Sequence, residues 1–151
     1  MWWKSSGIAT IFFDGESKGN PGISSVGGMV FSLDLSSQTS FSWGLGVSSN
    51  NQAKIYSLLK ACQIGKEKGF QSIRIFGDSE ILIKMINSEE QFSNPSLNKT
   101  LQLIRNILND FESVSSYHIL CELNNHVDLM ANKACHLPLG NLNINGEPSS
   151  F

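Results

Sequence analysis

Two aspartates, Asp14 and Asp78, follow hydrophobic segments at positions where the sequence predicts a turn. Asp14 follows the apolar run 8–13 and precedes a segment rich in Gly, Asn and Pro. Strand-forming residues before Asp14 and breakers after it predict that this aspartate lies at the carboxyl end of a strand. From these residues alone, a tight hairpin with a solvated aspartate is an equally good interpretation. The choice depends on whether other carboxylates of the chain meet Asp14.

The hydrophobic pattern predicts an α/β protein with a mixed sheet. Strand patterns occur at 8–13, 26–31, 40–47, 70–76 and 117–121, and helical patterns follow 48–51, 79, 94 and 124–125. Short links among the first three strands favour an antiparallel meander. The strand–helix–strand order makes the first and fourth strands parallel neighbours, joined by a right-handed crossover.

This topology brings a second and a third carboxylate to the first. Asp78 follows the fourth strand, so we expect it beside Asp14 at the carboxyl edge of the sheet, where open α/β sheets bind ligands. Asp128 lies in the first turn of the last predicted helix, where the helix dipole stabilises a carboxylate. Clustered carboxylates repel one another unless cations hold them together. Hard oxygen ligands suit Mg²⁺ or Mn²⁺, and two such ions about 3.5–4 Å apart can promote phosphodiester cleavage.

Composition limits the class of protein. A chain of 151 residues, 40% of them hydrophobic, is long enough to bury one core. The net charge of −2 argues against strong non-specific binding to nucleic acid, because there is no large basic field. The apolar runs are too short to span a bilayer, and the first residues do not resemble a signal peptide. We therefore expect no membrane association. We also expect the chain to be a monomer.

The cysteines and the last residues complete the expected organisation. The three cysteines are odd in number and lack the close spacing of zinc sites, so we expect buried thiols in a reducing, intracellular compartment. Residues 138–151 are rich in Pro, Gly, Asn and Ser, which predicts a flexible tail. The predicted domain therefore comprises residues 1–137.

Four sequence motifs resemble those of ribonuclease H domains of the type found in archaea, plants and plant retroelements. Asp-Gly-Glu-Ser-Lys-Gly-Asn-Pro-Gly at 14–22 resembles the signature D-G-(A/S)-S-x-G-N-P-G, and Asn-Asn-Gln-Ala at 50–53 resembles the helix start N-N-x-A-E. Gly-Asp-Ser at 77–79 resembles G-D-S, and the segment 124–131 resembles N-x-x-A-D-x-L-A. The four motifs occur in the family's order over about 120 residues, so a chance match is improbable.

The resemblance implies a five-stranded ribonuclease H-like fold, with strands one, four and five parallel and helices on its faces. It also implies an RNA/DNA hybrid as substrate, whose RNA strand is cut with two metal ions. The resemblance assigns catalytic roles to Asp14, Asp78, Asp128 and His118, metal ligation to these three aspartates, and substrate contacts to Gly15, Ser17, Asn20, Asn50 and Asn51. Asn50 and Asn51 match positions that contact RNA 2′-hydroxyls. For His118, a structural role at a strand end is an equally good interpretation.

One position departs from the family pattern in its charge. The second carboxylate of the family falls at Lys54, and the flanking residues 50–53 fix this register. At 4 Å and an effective dielectric near 20, a unit charge against a divalent ion is worth about 8 kcal/mol before screening. We expect the Lys54 ammonium to form salt bridges with Asp14 or Asp78, in the place of a cation. A Lys54 turned to solvent on a shifted helix is the alternative. Cys121 is a further departure, since the pattern usually has Arg there.

Three functional hypotheses follow from these residues. In the first, the chain is a ribonuclease H-like domain that binds RNA/DNA hybrids and has impaired or lost cleavage. In the second, it is an active hybrid ribonuclease that uses one or two metal ions. In the third, it is a protein-interaction module, which the net negative charge and the absence of a Lys/Arg-rich helix after Asp78 favour over tight independent binding. A fused or associated reverse transcriptase, or another binding domain, is the expected partner.

Overall fold

A mixed sheet organises the protein in the computed structural model, which describes residues 7–19, 21–32, 37–119 and 142–145. The strands are β1 (Ile8–Gly19), β2 (Gly22–Ser32), β3 (Gln38–Ser48), β4 (Ser72–Gly77), β5 (Ser113–His118) and β6 (Leu142–Asn145), and the helices are α1 (Asn50–Glu67), α2 (Glu80–Ile86) and α3 (Pro95–Leu108). The strand order is β5-β4-β1-β2-β3-β6. Strands β1 to β3 are antiparallel, whereas β4 is parallel to both β1 and β5. The predicted five-stranded mixed sheet is therefore confirmed.

Strand β1 continues beyond the point where the sequence predicted its end. β4 pairs with β1 only as far as Phe13, which lies opposite Gly77. β2 pairs with β1 as far as Gly19, which lies opposite Gly22 and has φ of 101°. The Gly- and Ser-rich segment after Asp14 is thus one arm of a hairpin, and its backbone pairing outweighs the low strand propensity of its residues. Asp14 is the first residue of β1 beyond its pairing with β4.

Two further strands differ from the predictions. β5 begins at Ser113, four residues before the predicted start at 117. The prediction missed these residues because the serines at the start of the strand do not sustain an alternation with apolar residues. The predicted residues 120 and 121 lie outside the described residues. β6 pairs antiparallel with β3 inside the segment 138–151, where no strand was predicted. The boundary at 137 and the flexibility of the remaining tail also lie outside the described residues and stay predictions.

Helix α1 crosses one face of the sheet and carries much of the core. It begins with a capping box in which Ser49 accepts a hydrogen bond from the Gln52 amide and the Gln52 side chain accepts one from Ser49. It ends before Gly69, whose φ of 82° favours glycine. α1 packs on β1 and β2, and α3 packs beside it. The largest fully buried side chains are Phe13, Phe41, Ile11, Ile55, Leu58, Ile73, Ile75, Leu82, Leu101, Ile104, Val26 and Val30.

The other face of the sheet carries a row of aromatic rings. Ring centroids are 5.9 Å apart for Phe12 and Phe31, and 5.2 Å apart for Phe12 and Phe76. The ring of Tyr117 stacks on Phe76, also at 5.2 Å. The row therefore crosses β2, β1, β4 and β5 and links the antiparallel and parallel parts of the sheet. Among the helices of the described residues, none is long and apolar enough to cross a membrane.

Candidate functional site

Asp14 and Asp78 meet at the end of the pairing between β1 and β4. Phe13 lies opposite Gly77 in this parallel pair, and the residue that follows each of them in the chain is an aspartate. The side chain of Asp14 is 4% exposed and that of Asp78 is 8% exposed. The structure thus brings together two of the three predicted carboxylates in a nearly buried position, where carboxylates need a partner of opposite charge.

Lys54 on α1 supplies that opposite charge. Its Nζ lies 3.1 Å from Oδ1 of Asp14 and 3.3 Å from Oδ1 of Asp78, and its side chain is 24% exposed. The predicted salt bridges are present, and the alternative of a Lys54 directed to solvent is wrong. At 4 Å and an effective dielectric of 20, one such ion pair is worth about 4 kcal/mol before desolvation. One ammonium therefore bridges two carboxylates, which leaves the three groups with one net negative charge.

Gly15 allows α1 to approach β1 closely at this point. A Cβ on Gly15 would lie 2.3 Å from the carbonyl carbon and oxygen of Ala53 and 2.7 Å from the backbone nitrogen of Lys54. Only glycine permits this contact between the strand and the helix backbone. The Gly15 amide also donates a 2.9 Å hydrogen bond to Oδ1 of Asp14. Gly15 therefore positions both members of the Asp14–Lys54 pair, which is a packing reason for a residue predicted to contact substrate.

Hydrogen bonds attach the β1–β2 hairpin to the start of α1. The Ser17 amide donates to Oδ1 of Asn50 at 2.9 Å, and the Ser17 hydroxyl donates to the carbonyl oxygens of Ser48, at 2.9 Å, and Gly19. The Ser24 hydroxyl donates to the same Ser48 carbonyl at 3.0 Å. The parts played by Ser24 and Ser48 were not predicted from the sequence. Their only signal was a set of serines at strand ends, which is common in hairpins.

Of the two remaining residues predicted to contact substrate, Asn51 and Asn20, the structure describes only Asn51. Asn51 is exposed at the start of α1, next to Asn50. Asn20 lies outside the described residues. The hairpin and the first turn of α1 therefore form one polar surface beside the aspartates, and hydrogen bonds of Ser17 fix its shape.

His118 lies close to Asp78 at the end of β5. It lies opposite Gly77 in the β4–β5 pair, and its Nε2 is 3.3 Å from the backbone oxygen of Asp78. His118 is exposed, as a solvent-facing residue at a strand end would be. Asp128, the third predicted carboxylate, lies outside the described residues. The structure therefore places His118 at the predicted edge and leaves the position of Asp128 a prediction.

The described residues do not fit a divalent ion between the two aspartates. Within residues 7–19, 21–32 and 37–119, no three His, Cys, Asp or Glu side chains form a group that could hold a metal ion. Mg²⁺ requires oxygen ligands at about 2.0–2.1 Å in a nearly octahedral arrangement. One oxygen of each aspartate, Oδ1, already accepts a hydrogen bond from Lys54. A metal ion at this position would have to displace the ammonium.

Cys62, on the buried face of α1, takes no part in this site. It is fully buried, and burial raises the pKa of its thiol to about 12. A thiol with so high a pKa is a poor nucleophile at neutral pH. The predicted buried thiol is thus confirmed for Cys62, whereas Cys121 and Cys135 lie outside the described residues.

Comparison with known proteins identifies relatives over most of the chain. A family model described as reverse transcriptase-like matches residues 12–134. Ribonuclease HI of Halobacterium salinarum is 31% identical over 123 residues, which cover 82% of this chain and 62% of that protein. A putative ribonuclease H protein of Arabidopsis thaliana is 29% identical over 127 residues, which cover 84% of this chain and 20% of that protein. The chain therefore spans less than two thirds of either curated relative.

A solved structure agrees with these relatives. The crystal structure of RNase H1 from Halobacterium salinarum has a TM-score of 0.77 and 30% sequence identity to this chain, with 85% of this chain and 97% of that chain covered. The segment 12–134, which the family model matches, includes Asp14, Lys54 and Asp78. The chain belongs to the reverse transcriptase-like family and has a ribonuclease H-like fold.

Proposed function

We propose that this domain binds RNA/DNA hybrids and that its cleavage of the RNA strand is impaired or lost. The observation that carries the proposal is the contact of the Lys54 ammonium with both Asp14 and Asp78. Similarity to ribonuclease H proteins supports a hybrid as the ligand. The ion pairs at the sheet edge support the loss of turnover, because they occupy the carboxylates that the family resemblance assigns to metal.

The hairpin and the start of α1 form the proposed hybrid-binding surface. Asn50 and Asn51 are proposed to contact RNA 2′-hydroxyls in the minor groove, which distinguishes RNA from DNA. Gly15 and Asn20 are proposed to lie along the nucleic-acid backbone. The Ser17 amide and hydroxyl already bond within the protein, so we assign Ser17 to holding the hairpin against Asn50. This surface does not depend on the charge at position 54.

The proposed catalytic group comprises Asp14, Asp78, Asp128 and His118. Bound Mg²⁺ or Mn²⁺ would activate water and stabilise the leaving oxygen in a ribonuclease H site. We propose that Lys54 stands where the family has its second carboxylate, so an acidic ligand is replaced by a fixed positive charge. Losing a ligand and gaining a cation both weaken metal binding, and supporting residues alone change metal affinity or activity by about 10–100-fold.

The test uses a labelled RNA/DNA hybrid with the wild type and the Asp78→Asn variant. We expect hybrid binding at low salt that exceeds binding to duplex DNA, and little or no RNA cleavage with Mg²⁺ or Mn²⁺. Cleavage by the wild type that Asp78→Asn abolishes would contradict the impaired-nuclease proposal and indicate an active ribonuclease. Undetectable hybrid binding at low salt would contradict hybrid recognition and favour the protein-interaction module.

We also propose a retroelement-like origin, with a fused or associated reverse transcriptase or binding domain. The reverse transcriptase-like family model supports this setting, and so does a match that covers only 20% of the Arabidopsis relative. We also propose that the protein is a monomer and lies in a reducing intracellular compartment. Gel filtration of the purified chain tests the oligomeric state, with elution as a dimer as the contradicting result.

A further inference from the structure

We propose that the Lys54 ammonium is the resident cation of this site, so that the protein folds and binds nucleic acid without a divalent ion. The part that concerns nucleic acid rests on the proposed function, whereas the part that concerns folding does not. The protein would then have replaced an exchangeable metal with a covalently attached charge. The site would be insensitive to chelators and to the supply of Mg²⁺ or Mn²⁺.

Burial of the two aspartates favours a cation between them. The side chains of Asp14 and Asp78 are only 4% and 8% exposed, so water screens their mutual repulsion poorly. The Lys54 Nζ lies within hydrogen-bond distance of one oxygen from each carboxylate. A single ammonium thus satisfies both groups, as a metal ion shared between two carboxylates would.

Contacts with β1 and with Ser57 hold the backbone at Lys54 in place. Gly15 of β1 packs directly on the α1 backbone at Ala53 and Lys54. The Ser57 hydroxyl donates a 2.6 Å hydrogen bond to the Lys54 carbonyl oxygen. The lysine side chain therefore starts from a constrained point close to Asp14, and the two ion pairs offset the cost of ordering its rotamers, which is up to about 2 kcal/mol.

A second lysine of the same helix provides a matched comparison. Lys66 pairs with Asp110 at 2.6 Å, and both side chains are 54% exposed. Exposed pairs of this kind contribute little to stability, because water screens the charges and the side chains lose rotamer freedom. Lys54→Gln and Lys66→Gln remove the same charge from the same helix, but only Lys54→Gln removes the ammonium that contacts two nearly buried carboxylates.

Thermal unfolding of the full chain tests the proposal, first with the wild type alone. We expect the same Tm in EDTA, in Mg²⁺ and in Mn²⁺, and no Mn²⁺ binding by isothermal titration calorimetry. Lys54→Gln is expected to lose about 5 °C in EDTA and to recover part of that loss with Mn²⁺. Lys66→Gln is expected to keep the wild-type Tm in all three conditions.

A wild-type Tm that rises with Mn²⁺, together with stoichiometric Mn²⁺ binding, would overturn the proposal without any variant. A Lys54→Gln protein as stable as the wild type in EDTA would overturn it as well.

Hybrid binding measured in EDTA separates this proposal from the proposed function. Binding that appears only after Mg²⁺ is added contradicts a resident ammonium and leaves hybrid recognition intact. If the wild type binds no hybrid in any condition, hybrid recognition fails, while an unchanged Tm in Mn²⁺ still supports the resident cation.

Discussion

Gly15→Ala should destabilise the protein strongly, because the new Cβ would meet helix backbone. This Cβ would lie 2.3 Å from the Ala53 carbonyl atoms and 2.7 Å from the Lys54 nitrogen. An ordinary van der Waals contact begins at 3.4 Å, so β1 and α1 would have to separate by about 1 Å. Overpacking in a well-packed core costs about 1–3 kcal/mol, and a clash with backbone falls at the upper end of that range.

The assay is chemical unfolding monitored by tryptophan fluorescence or circular dichroism, with Gly65→Ala as the matched control. Gly65 lies inside α1, and a Cβ there would meet Ile73 Cδ1 at 3.5 Å, which is an ordinary contact. We expect Gly15→Ala to lower the free energy of unfolding by about 3 kcal/mol. We expect Gly65→Ala to leave it unchanged or to raise it by up to about 1 kcal/mol, because Ala favours the helix. Equal stability of Gly15→Ala and the wild type would refute the close contact between β1 and α1.

Three other predictions concern separate parts of the protein. Burial raises the Cys62 pKa from 9.0 to about 12, so the thiolate favours unfolding. The free energy of unfolding should fall by about 1.4 kcal/mol per pH unit as pH rises from about 9 to 12, and pH-dependent denaturation should show this slope missing from Cys62→Ala. Asn50→Ala removes the acceptor of the Ser17 amide and should cost about 1 kcal/mol in chemical unfolding and weaken hybrid binding in a gel-shift titration. Arg105→Met removes hydrogen bonds to three carbonyl oxygens in 85–90 and should cost about 2 kcal/mol in the same unfolding assay. No slope difference for Cys62→Ala, or wild-type stability in either of the other variants, would contradict the corresponding contact.

The meeting of the two aspartates with Lys54 could be predicted, because it depends only on the order of the strands and on the charge of these three residues. The two aspartates follow neighbouring parallel strands, and right-handed crossovers leave one arrangement for such strands. The sign of the charge at Lys54 then determined its partners, since a lysine near two buried carboxylates has no better contact. Both salt bridges follow from these two facts.

The remaining features depend on contacts that a sequence pattern does not carry. The arm of β1 after Asp14 is held by pairing with β2, although Gly and Ser have low strand propensity. The four residues of β6 are too few for a recognisable alternation, and pairing with β3 determines their conformation. The motif indicated that Gly15 is special, but only the distance to Ala53 shows that helix packing is the physical reason.

The most direct measurement compares initial rates of RNA-strand cleavage for the wild type and Lys54→Glu on the same labelled hybrid in Mg²⁺. Lys54→Glu removes the ammonium that contacts Asp14 and Asp78 and places a carboxylate beside them. We expect the wild type to cleave at least about 100-fold more slowly than Lys54→Glu, which is the size of effect that changes at metal sites commonly produce. A wild-type rate equal to or above that of Lys54→Glu, and abolished by Asp78→Asn, would contradict an RNase H site blocked by its own lysine.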